Sequence, residues 1–217
     1  SALPALIEAE GAVLLEPGRG VDKQRVGNTL ERALGALLDH LHSAQIVSVQ
    51  PELHAEAAFG AIRLAGDIDL LLTDRSGNEI VLDVKWGSGA YRGKELRANR
   101  QLQLAIYAYL RRGEQRWPDQ AFFIVESGDI LAQDARVFPR AVTHPAASGE
   151  TVVDLWQRIS ATYEWRRQQL RAGRIEVHVA ATTQMEASAP PAQALAAASD
   201  PDRFDDFVNL TGWADYQ

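Results

Sequence analysis

Three charged side chains, Asp69, Asp83 and Lys85, occupy odd-numbered positions in two otherwise largely apolar segments, residues 66–72 and 80–86. Side chains alternate between faces along a strand, so in two paired strands these three groups would share one face. Two carboxylates about 4 Å apart repel by up to roughly 4 kcal/mol at an effective dielectric near 20, so a cation is expected between them. Mg²⁺ needs only one or two protein carboxylates and takes its other ligands from water and phosphate oxygens. The pattern therefore indicates phosphate chemistry.

A simpler interpretation is that the three residues form only the wet face of an amphipathic hairpin. Asp is disfavoured in strands, and solvent-facing positions usually carry Thr, Lys, Arg or Gln. The repulsion between two facing carboxylates also argues for the cation-binding interpretation.

The residues between the two segments, 73–79, predict a hairpin turn. Gly77 suits the positive φ of a loop closed by a bulge, so the flanking strands are expected to be antiparallel neighbours. If the loop holds an odd number of residues centred on Ser76, Asp69 faces Asp83 directly. The opposite, core-facing side would then be formed by the even-numbered apolar residues Ile68, Leu70, Leu72, Leu82, Val84 and Trp86.

Together with one further motif, these residues resemble the PD-(D/E)xK nucleases, specifically the nuclease domains of RecB, AddB and Cas4. The pattern there is a Gly-x-hydrophobic-Asp strand, Asp-x-Lys one hairpin later, and Gln-x-x-x-Tyr on the following helix. Here the three motifs span residues 66–69, 83–85 and 103–107. Asp-x-Lys alone recurs by chance, but three motifs in this order are specific. The resemblance implies an α/β, restriction-endonuclease-like core of order α-β-β-β-α-β, with a mixed central sheet flanked by helices.

The resemblance also implies the chemistry at the strand motifs. Asp69 and Asp83, with the carbonyl of Val84, would bind Mg²⁺ or Mn²⁺. The metal would polarise the phosphoryl group and acidify a bound water. Lys85 would orient that water or stabilise the transition state.

The helix motif has its own physical interpretation. Residues 93–112 are expected to be helical, ended by Gly113, and Gln103 and Tyr107 are four apart and so on one face with Arg100. Taken alone, Tyr107 would equally suit a core aromatic. Beside the strand motifs, the resemblance assigns Gln103 and Tyr107 to positioning the nucleic-acid strand and the motif lysine.

Glu31 has two possible roles. Relatives often place a histidine ligand four residues after a glycine on the preceding helix, and Glu31 stands at that spacing from Gly27; a carboxylate also suits a hard cation. Alternatively, the helix opens near residue 26, and Asn28 as N-cap with Glu31 at N3 forms a capping box.

Glu56 lies on the expected first strand, where relatives often carry a glutamate. It is a candidate to contact and orient the metal ligands without binding the metal itself.

Charge is unevenly distributed along the chain. The net charge of −7 argues against nucleic-acid binding, but residues 85–116 contain eight basic residues and two acidic ones. This stretch follows the expected metal site, where a phosphate backbone would need cations; the alternative is an ordinary solvated helix surface. The residues expected to contact DNA are Arg92, Lys94, Arg97 and Arg100.

The composition narrows the class of protein. A chain of 217 residues with 46% hydrophobic residues can form one substantial core. It contains no cysteine, so it cannot hold by cysteine the iron–sulfur cluster of some AddB- and Cas4-type nucleases, and its histidines lack zinc-site spacing. No segment resembles a membrane span or a signal peptide, which predicts a cytoplasmic protein with no membrane contact.

The expected organisation is an N-terminal extension over residues 1–25, a nuclease core over 26–175, and an Ala/Pro-rich linker and tail over 176–217 whose aromatic segment 204–213 docks. The core would include strands at 121–125 and 135–138 and a helix from about 150 to 172 ended by Gly173.

Because the chain begins with Ser1, we expect a piece of a larger protein with helicase-like or other domains. The leading hypothesis is a metal-dependent nuclease hydrolysing DNA phosphodiester bonds within a larger DNA-processing or defence protein. The alternative is a non-cleaving, nuclease-like module for DNA binding or assembly.

Overall fold

The computed structural model of the chain describes residues 3–113, 116–174 and 191–195. In these ranges the elements, in chain order, are α1 (Leu3–Glu10), a 3-10 turn (Ala12–Leu15), α2 (Gly20–Ser43), β1 (Ile46–Phe59), β2 (Ile62–Asp74), β3 (Glu79–Lys85), α3 (Gly89–Arg97), α4 (Leu102–Arg111), β4 (Asp119–Ile124), β5 (Asp129–Ala132), β6 (Val142–Thr143) and α5 (Val152–Arg171).

The chain divides into two compact units, residues 1–155 and 156–217. The sheet and the candidate site lie in the first unit. Most of the predicted linker and tail, including the aromatic segment 204–213, lies outside the described residues. Of the second unit the structure describes most of α5, which is followed by Gly173 with φ 73°, and a short segment, residues 191–195. The Leu195 N–H of that segment donates to Thr162 Oγ1 at 2.7 Å.

The sheet has six strands in sequence order, β1-β2-β3-β4-β5-β6. The pairs β1–β2, β2–β3 and β4–β5 are antiparallel, and β3–β4 and β5–β6 are parallel. A parallel neighbour needs a crossover connection, and here α3 and α4 supply it between β3 and β4. The predicted mixed sheet and the order α-β-β-β-α-β are both confirmed.

Helices cover both faces of the central strands, which explains their nearly continuous apolar sequence. On one face, Leu72, Ile80, Leu82 and Phe123 pack with three leucines of α2, Leu30, Leu37 and Leu41. On the other, the core combines β-strand residues with residues of α3 and α4, among them Leu71, Val81, Phe122, Leu96 and Leu104. The second face is the one that carries the candidate site.

The expected strict alternation along β2 is wrong at Ile68. Ile68 packs in the cluster with α4, whereas Leu70 packs in the cluster with α2. The physical reason is an interruption of the β1–β2 ladder, which passes from the Pro51–Leu70 pair to the Leu53–Ile68 pair. The skipped residue of β1, Glu52, has φ 49° and the skipped residue of β2 is Asp69, so the strand changes face at the acidic residue.

The single helix predicted over residues 93–112 is two helices. α3 ends before Asn99, which has φ 48°, and the N–H groups of Asn99 and Arg100 donate to the carbonyls of Leu96 and Glu95 at 3.1 and 2.9 Å. These two bonds are those of a Schellman motif, in which Asn is an accepted substitute for Gly. Arg100 therefore lies between the helices and not on the face of α4.

The start of one helix and the number of short strands also differ from the predictions. α2 begins at Gly20, so its first turn falls in the expected N-terminal extension. Residues 135–138 are not a strand, although Phe138 is buried, and the short strands β5 and β6 were missed. An apolar residue buried from a loop resembles a strand residue in sequence, and two- to four-residue strands give too little periodicity to detect.

Candidate active site

The hairpin between β2 and β3 fixes how the two acids face each other. Thr73 pairs with Glu79 and Leu70 with Leu82, so the loop consists of residues 74–78 and is centred on Ser76, as predicted. Asp74 Oδ1 accepts hydrogen bonds from the N–H groups of Ser76 (2.8 Å) and Asn78 (2.9 Å), which pins the loop. Gly77 takes φ 79°, a conformation that favours glycine. One step beyond the Leu70–Leu82 pair, this register places Asp69 opposite Asp83.

Asp69 is held against the backbone of β3. Its Oδ2 accepts the N–H of Val84 at 2.7 Å. Because the ladder to β1 skips Asp69, this carboxylate is directed by the hydrogen bond to β3. Asp69 is therefore oriented beside the same short stretch of backbone that carries Asp83 and the Val84 carbonyl.

Asp83 is the most deeply buried acid of the site. Its side chain is 0% exposed, and burial raises the pKa of its carboxyl, while the Lys85 ammonium counteracts that rise and the Asp69 carboxylate adds to it. Lys85 Nζ lies 2.7 Å from Oδ2, an ion pair that falls short of a well-aligned hydrogen bond, and Oδ1 has no hydrogen-bond partner among the described residues. An uncompensated buried carboxylate oxygen is costly, so this atom is suited to a ligand that the protein alone does not provide.

Lys85 connects the strand motif to the helix motif. Its Nζ donates to Gln103 Oε1 at 2.9 Å, and Gln103 Nε2 donates to the Tyr107 hydroxyl at 2.9 Å. Gln103 and Tyr107 are one helical turn apart on α4. The structure thus joins Asp83, Lys85, Gln103 and Tyr107 in one continuous row of polar contacts.

The donor set fits a hard divalent cation such as Mg²⁺ or Mn²⁺. Two facing carboxylates, one with an unpartnered buried oxygen, provide the one or two protein carboxylates that Mg²⁺ usually takes. No group of three or more His, Cys, Asp or Glu side chains within the described ranges is arranged to hold a metal. Asp69 and Asp83, with the Val84 carbonyl, remain the predicted protein ligands, and water and phosphate oxygens would complete the shell.

A family model described as the PD-(D/E)XK nuclease superfamily matches residues 4–182. The chain belongs to the PD-(D/E)XK nuclease superfamily. Its members are generally nucleases, and the mixed sheet described above is consistent with their restriction-endonuclease-like fold. A search of curated proteins returns no match to the chain. None of the helices in the described ranges combines the length and the apolar composition needed to cross a membrane.

Glu31, the remaining predicted ligand of this PD-(D/E)XK site, lies exposed on α2. It lines a pocket that also includes Ile7 and Lys23, and it joins no three-residue group with the two aspartates. The capping alternative is wrong, because α2 begins at Gly20 and Asn28 is inside the helix. A metal role for Glu31 stays a prediction that requires its side chain to approach Asp69 and Asp83.

Glu56 lies among other charged groups on the β1–β2 hairpin. Its two oxygens contact His54 Nε2 at 3.2 Å and Arg63 Nη1 at 2.8 Å, and Asp67 contacts the other ring nitrogen of His54 at 2.7 Å. These contacts raise the pKa of His54, chiefly through Asp67, and lower that of Glu56. Among the contacts of the described residues, none joins Glu56 to Asp69 or Asp83, so its predicted support of the metal ligands stays a prediction.

The predicted phosphate-binding residues differ in their contacts. Arg92 donates to Glu95 at 2.6 Å, and Arg97 donates to His144 Nδ1 at 2.6 Å. Burial, and next to it the positive charge of Arg97, lowers the pKa of His144. Lys94 is exposed on α3. Of these cations, Arg92 is close enough to Asp83 for its charge to offset part of the rise in the pKa of that carboxyl, an effect that could not be predicted from sequence alone.

Two residues near the site were not chosen from the sequence. Gly66 was used only as part of a motif, but the ring of Tyr107 lies against it. In a continuous helix Gln101 would lie on a different face from Gln103, yet its side chain is 2% exposed and its Nε2 donates to Asn99 Oδ1 at 3.2 Å. The helix break at Asn99 is what turns Gln101 inward, and only recognition of that break could have identified it.

Proposed function

We propose that this protein is a metal-dependent nuclease that hydrolyses DNA phosphodiester bonds. The observation that carries the proposal is the environment of Asp83: a buried carboxylate with an unpartnered oxygen, opposite Asp69 and beside Lys85, in a member of a nuclease superfamily. An idle site has no need to keep two carboxylates facing each other at such an electrostatic cost.

Each residue has a defined task in the proposed reaction. Asp69 and Asp83 would hold Mg²⁺ or Mn²⁺, and the metal would supply Lewis-acid chemistry, polarising the phosphoryl group and acidifying a water. Lys85 presents its ammonium beside Asp83, where it donates a hydrogen bond to the attacking water or to the charged phosphoryl oxygens. Gln103 accepts from Lys85 and so restricts where that ammonium points.

The finer assignments rest on the sequence motifs. The resemblance to the nuclease domains of RecB, AddB and Cas4 supports a place within a larger DNA-processing or defence protein with helicase-like or other domains. Arg92, Lys94, Arg97 and Arg100 are proposed to contact the DNA backbone. The proposed location is cytoplasmic, in keeping with a DNA substrate.

The proposal is tested by cleavage of labelled single- and double-stranded DNA with Mg²⁺ or Mn²⁺. Asp83→Ala and Lys85→Ala are expected to lose at least about a hundredfold in rate, since each removes a group that acts on the transition state. Asp119→Ala is the matched control, because Asp119 is a half-buried aspartate on β4 outside the site whose pKa is also raised, chiefly by burial. Equal rates for the wild type, Asp83→Ala and Lys85→Ala would overturn the assignment and favour a non-cleaving DNA-binding module.

A further inference from the structure

Two aromatic side chains are exposed directly after the motif lysine. Trp86 is 50% exposed and Tyr91 is 57% exposed, whereas every other aromatic residue in the described ranges is buried or half-buried. Large aromatic rings that remain exposed to water do not contribute the folding free energy that their burial would provide. Trp86 directly follows β3 and Tyr91 lies in the first turn of α3, and the presence of both exposed rings in this short stretch indicates a surface for a ligand.

The backbone of this connection is tightly held. The N–H of Glu126 donates to the Trp86 carbonyl at 2.8 Å, which continues the β3–β4 ladder one step past Lys85. Ser88 takes φ 65°, and α3 begins at Gly89. Trp86 and Tyr91 are therefore presented from ordered positions next to the site, which lowers the entropy lost when they bind a ligand.

A chain of contacts ties Tyr91 to the strand that carries Asp83. The Arg92 guanidinium carbon lies 5.1 Å from the Tyr91 ring centroid and 5.6 Å from that of Phe122. Phe122 is the β4 partner of Asp83 in the parallel ladder. Arg92 is itself fixed by its 2.6 Å hydrogen bond to Glu95. The Arg92 guanidinium thus contacts both the exposed ring of Tyr91 and the ring of Phe122, which lies in the sheet beside Asp83.

We propose that Trp86 and Tyr91 stack on unpaired bases of the substrate strand next to the scissile phosphate. Exposed rings interleaved with cations that track a phosphate backbone are characteristic of single-strand binding surfaces. Here the cations are Lys85, Arg92 and Lys94. Bases within a duplex are covered by their stacked neighbours, so these rings can stack only on a strand whose bases are unpaired. The identity of the substrate as a nucleic acid rests on the proposed nuclease function.

The test separates bases from phosphates. Affinity is measured by fluorescence anisotropy in EDTA, with a labelled oligothymidylate and with an abasic deoxyribose-phosphate strand of the same length and charge. The wild type is expected to bind the oligothymidylate more tightly. Trp86→Ala and Tyr91→Ala should each weaken that binding roughly 5- to 100-fold and leave binding of the abasic strand nearly unchanged. Tyr91→Phe should retain the preference, because it keeps the ring.

Two control variants complete the experiment. Lys94→Gln should weaken binding of both strands by the same factor, because it removes only a phosphate contact. Leu34→Ala, at an exposed position of α2, should change neither. The inference is overturned if the wild type binds the two strands equally, if it does not bind the oligothymidylate, or if Trp86→Ala and Tyr91→Ala keep the base preference. Because the binding assay contains EDTA, it is independent of cleavage. Base-dependent binding by a protein that does not cleave DNA with Mg²⁺ or Mn²⁺ would refute only the nuclease proposal. Cleavage by a protein that shows no base preference would refute only the stacking site.

Discussion

The ring of Tyr107 lies against Gly66. A Cβ built on Gly66 would come within 3.2 Å of Tyr107 Cε1 and 3.6 Å of Leu110 Cδ1. The missing side chain lets α4 pack closely on β2, with the ring of Tyr107 directly against Gly66. The first residue of the strand motif thus sets the position of the last residue of the helix motif.

Replacing Gly66 with Ala should therefore disturb both stability and activity. The added methyl forces Tyr107 or α4 to shift, and overpacking of this kind typically costs about 1–3 kcal/mol of unfolding free energy. Urea unfolding and the DNA cleavage rate measure the two effects. Gly35→Ala is the matched control, because a Cβ on that residue of α2 meets no atom within 4 Å; it should stabilise the protein by up to about 1 kcal/mol. Equal effects of the two substitutions would contradict the role of Gly66.

Removing the charge of Asp83 should stabilise the metal-free protein. Burial raises the folded-state pKa of Asp83, so the folded state binds a proton more readily than the unfolded chain. Stability therefore falls as pH rises from the ordinary aspartate pKa through the raised one, and the loss persists above it. Asp83→Asn should be more stable than the wild type in EDTA at neutral pH, with the difference shrinking on acidification toward about pH 4. Urea unfolding across pH measures this, and a difference that grows on acidification would refute it.

Metal binding should depend on the same carboxylate. Excess Mn²⁺ should raise the melting temperature of the wild type, since a ligand at 100 times its Kd adds about 2.7 kcal/mol to the folded state. Asp83→Asn should lose this response. Asp119→Asn should keep it, because Asp119 also has a raised pKa from burial but pairs with Arg136 outside the site. Titration calorimetry provides a second measurement. A Mn²⁺ response in Asp83→Asn equal to that of the wild type would exclude Asp83 as a ligand.

Gln103 and Tyr107 should affect turnover in a graded order. Gln103→Leu removes the acceptor of Lys85, so kcat should fall about tenfold, as expected for one hydrogen bond to a charged group. Tyr107→Phe keeps the ring against Gly66 and removes only the partner of the Gln103 amide, so the loss should be a few-fold. Mn²⁺ binding should be unchanged in both variants. A larger loss in Tyr107→Phe than in Gln103→Leu would place the important contact at the hydroxyl.

Asn99 should be critical for stability. Its Oδ1 accepts from Gln101 and Gln133, each at 3.2 Å, and its Nδ2 donates to the Thr151 carbonyl at 3.0 Å, all at a residue that is 0% exposed. Asn99→Ala should lower the unfolding free energy by about 2–4 kcal/mol, because buried polar groups lose their partners. Asn99→Gly separates the two causes, since it loses the same hydrogen bonds but accepts φ 48° without strain. If both variants are as stable as the wild type, the hydrogen bonds contribute nothing.

The sequence was sufficient for the features that depend on short-range rules. The odd loop around Ser76 and the pairing of the two motif strands follow from turn chemistry and alternation. The face change at Asp69 could not be predicted, because it requires a matched irregularity at Glu52, which is far along the chain and has no glycine to mark it. The break at Asn99 was hidden for the same reason, since two of the groups that satisfy its buried amide, Gln133 and Thr151, are more than thirty residues away.

The parallel pairing of β3 with β4 has a consequence for the order in which the site matures. Every residue of the three motifs lies between positions 66 and 107, so synthesis delivers all of them before β4, residues 119–124, emerges. Until β4 docks, β3 is an edge strand and Asp83 lacks its ladder partner Phe122. We expect the pKa of Asp83 to be raised less in a nascent chain that ends near residue 112, because β4 is not yet present to contribute to its burial. The raised proton affinity of the site is then among the last properties that the folding domain acquires.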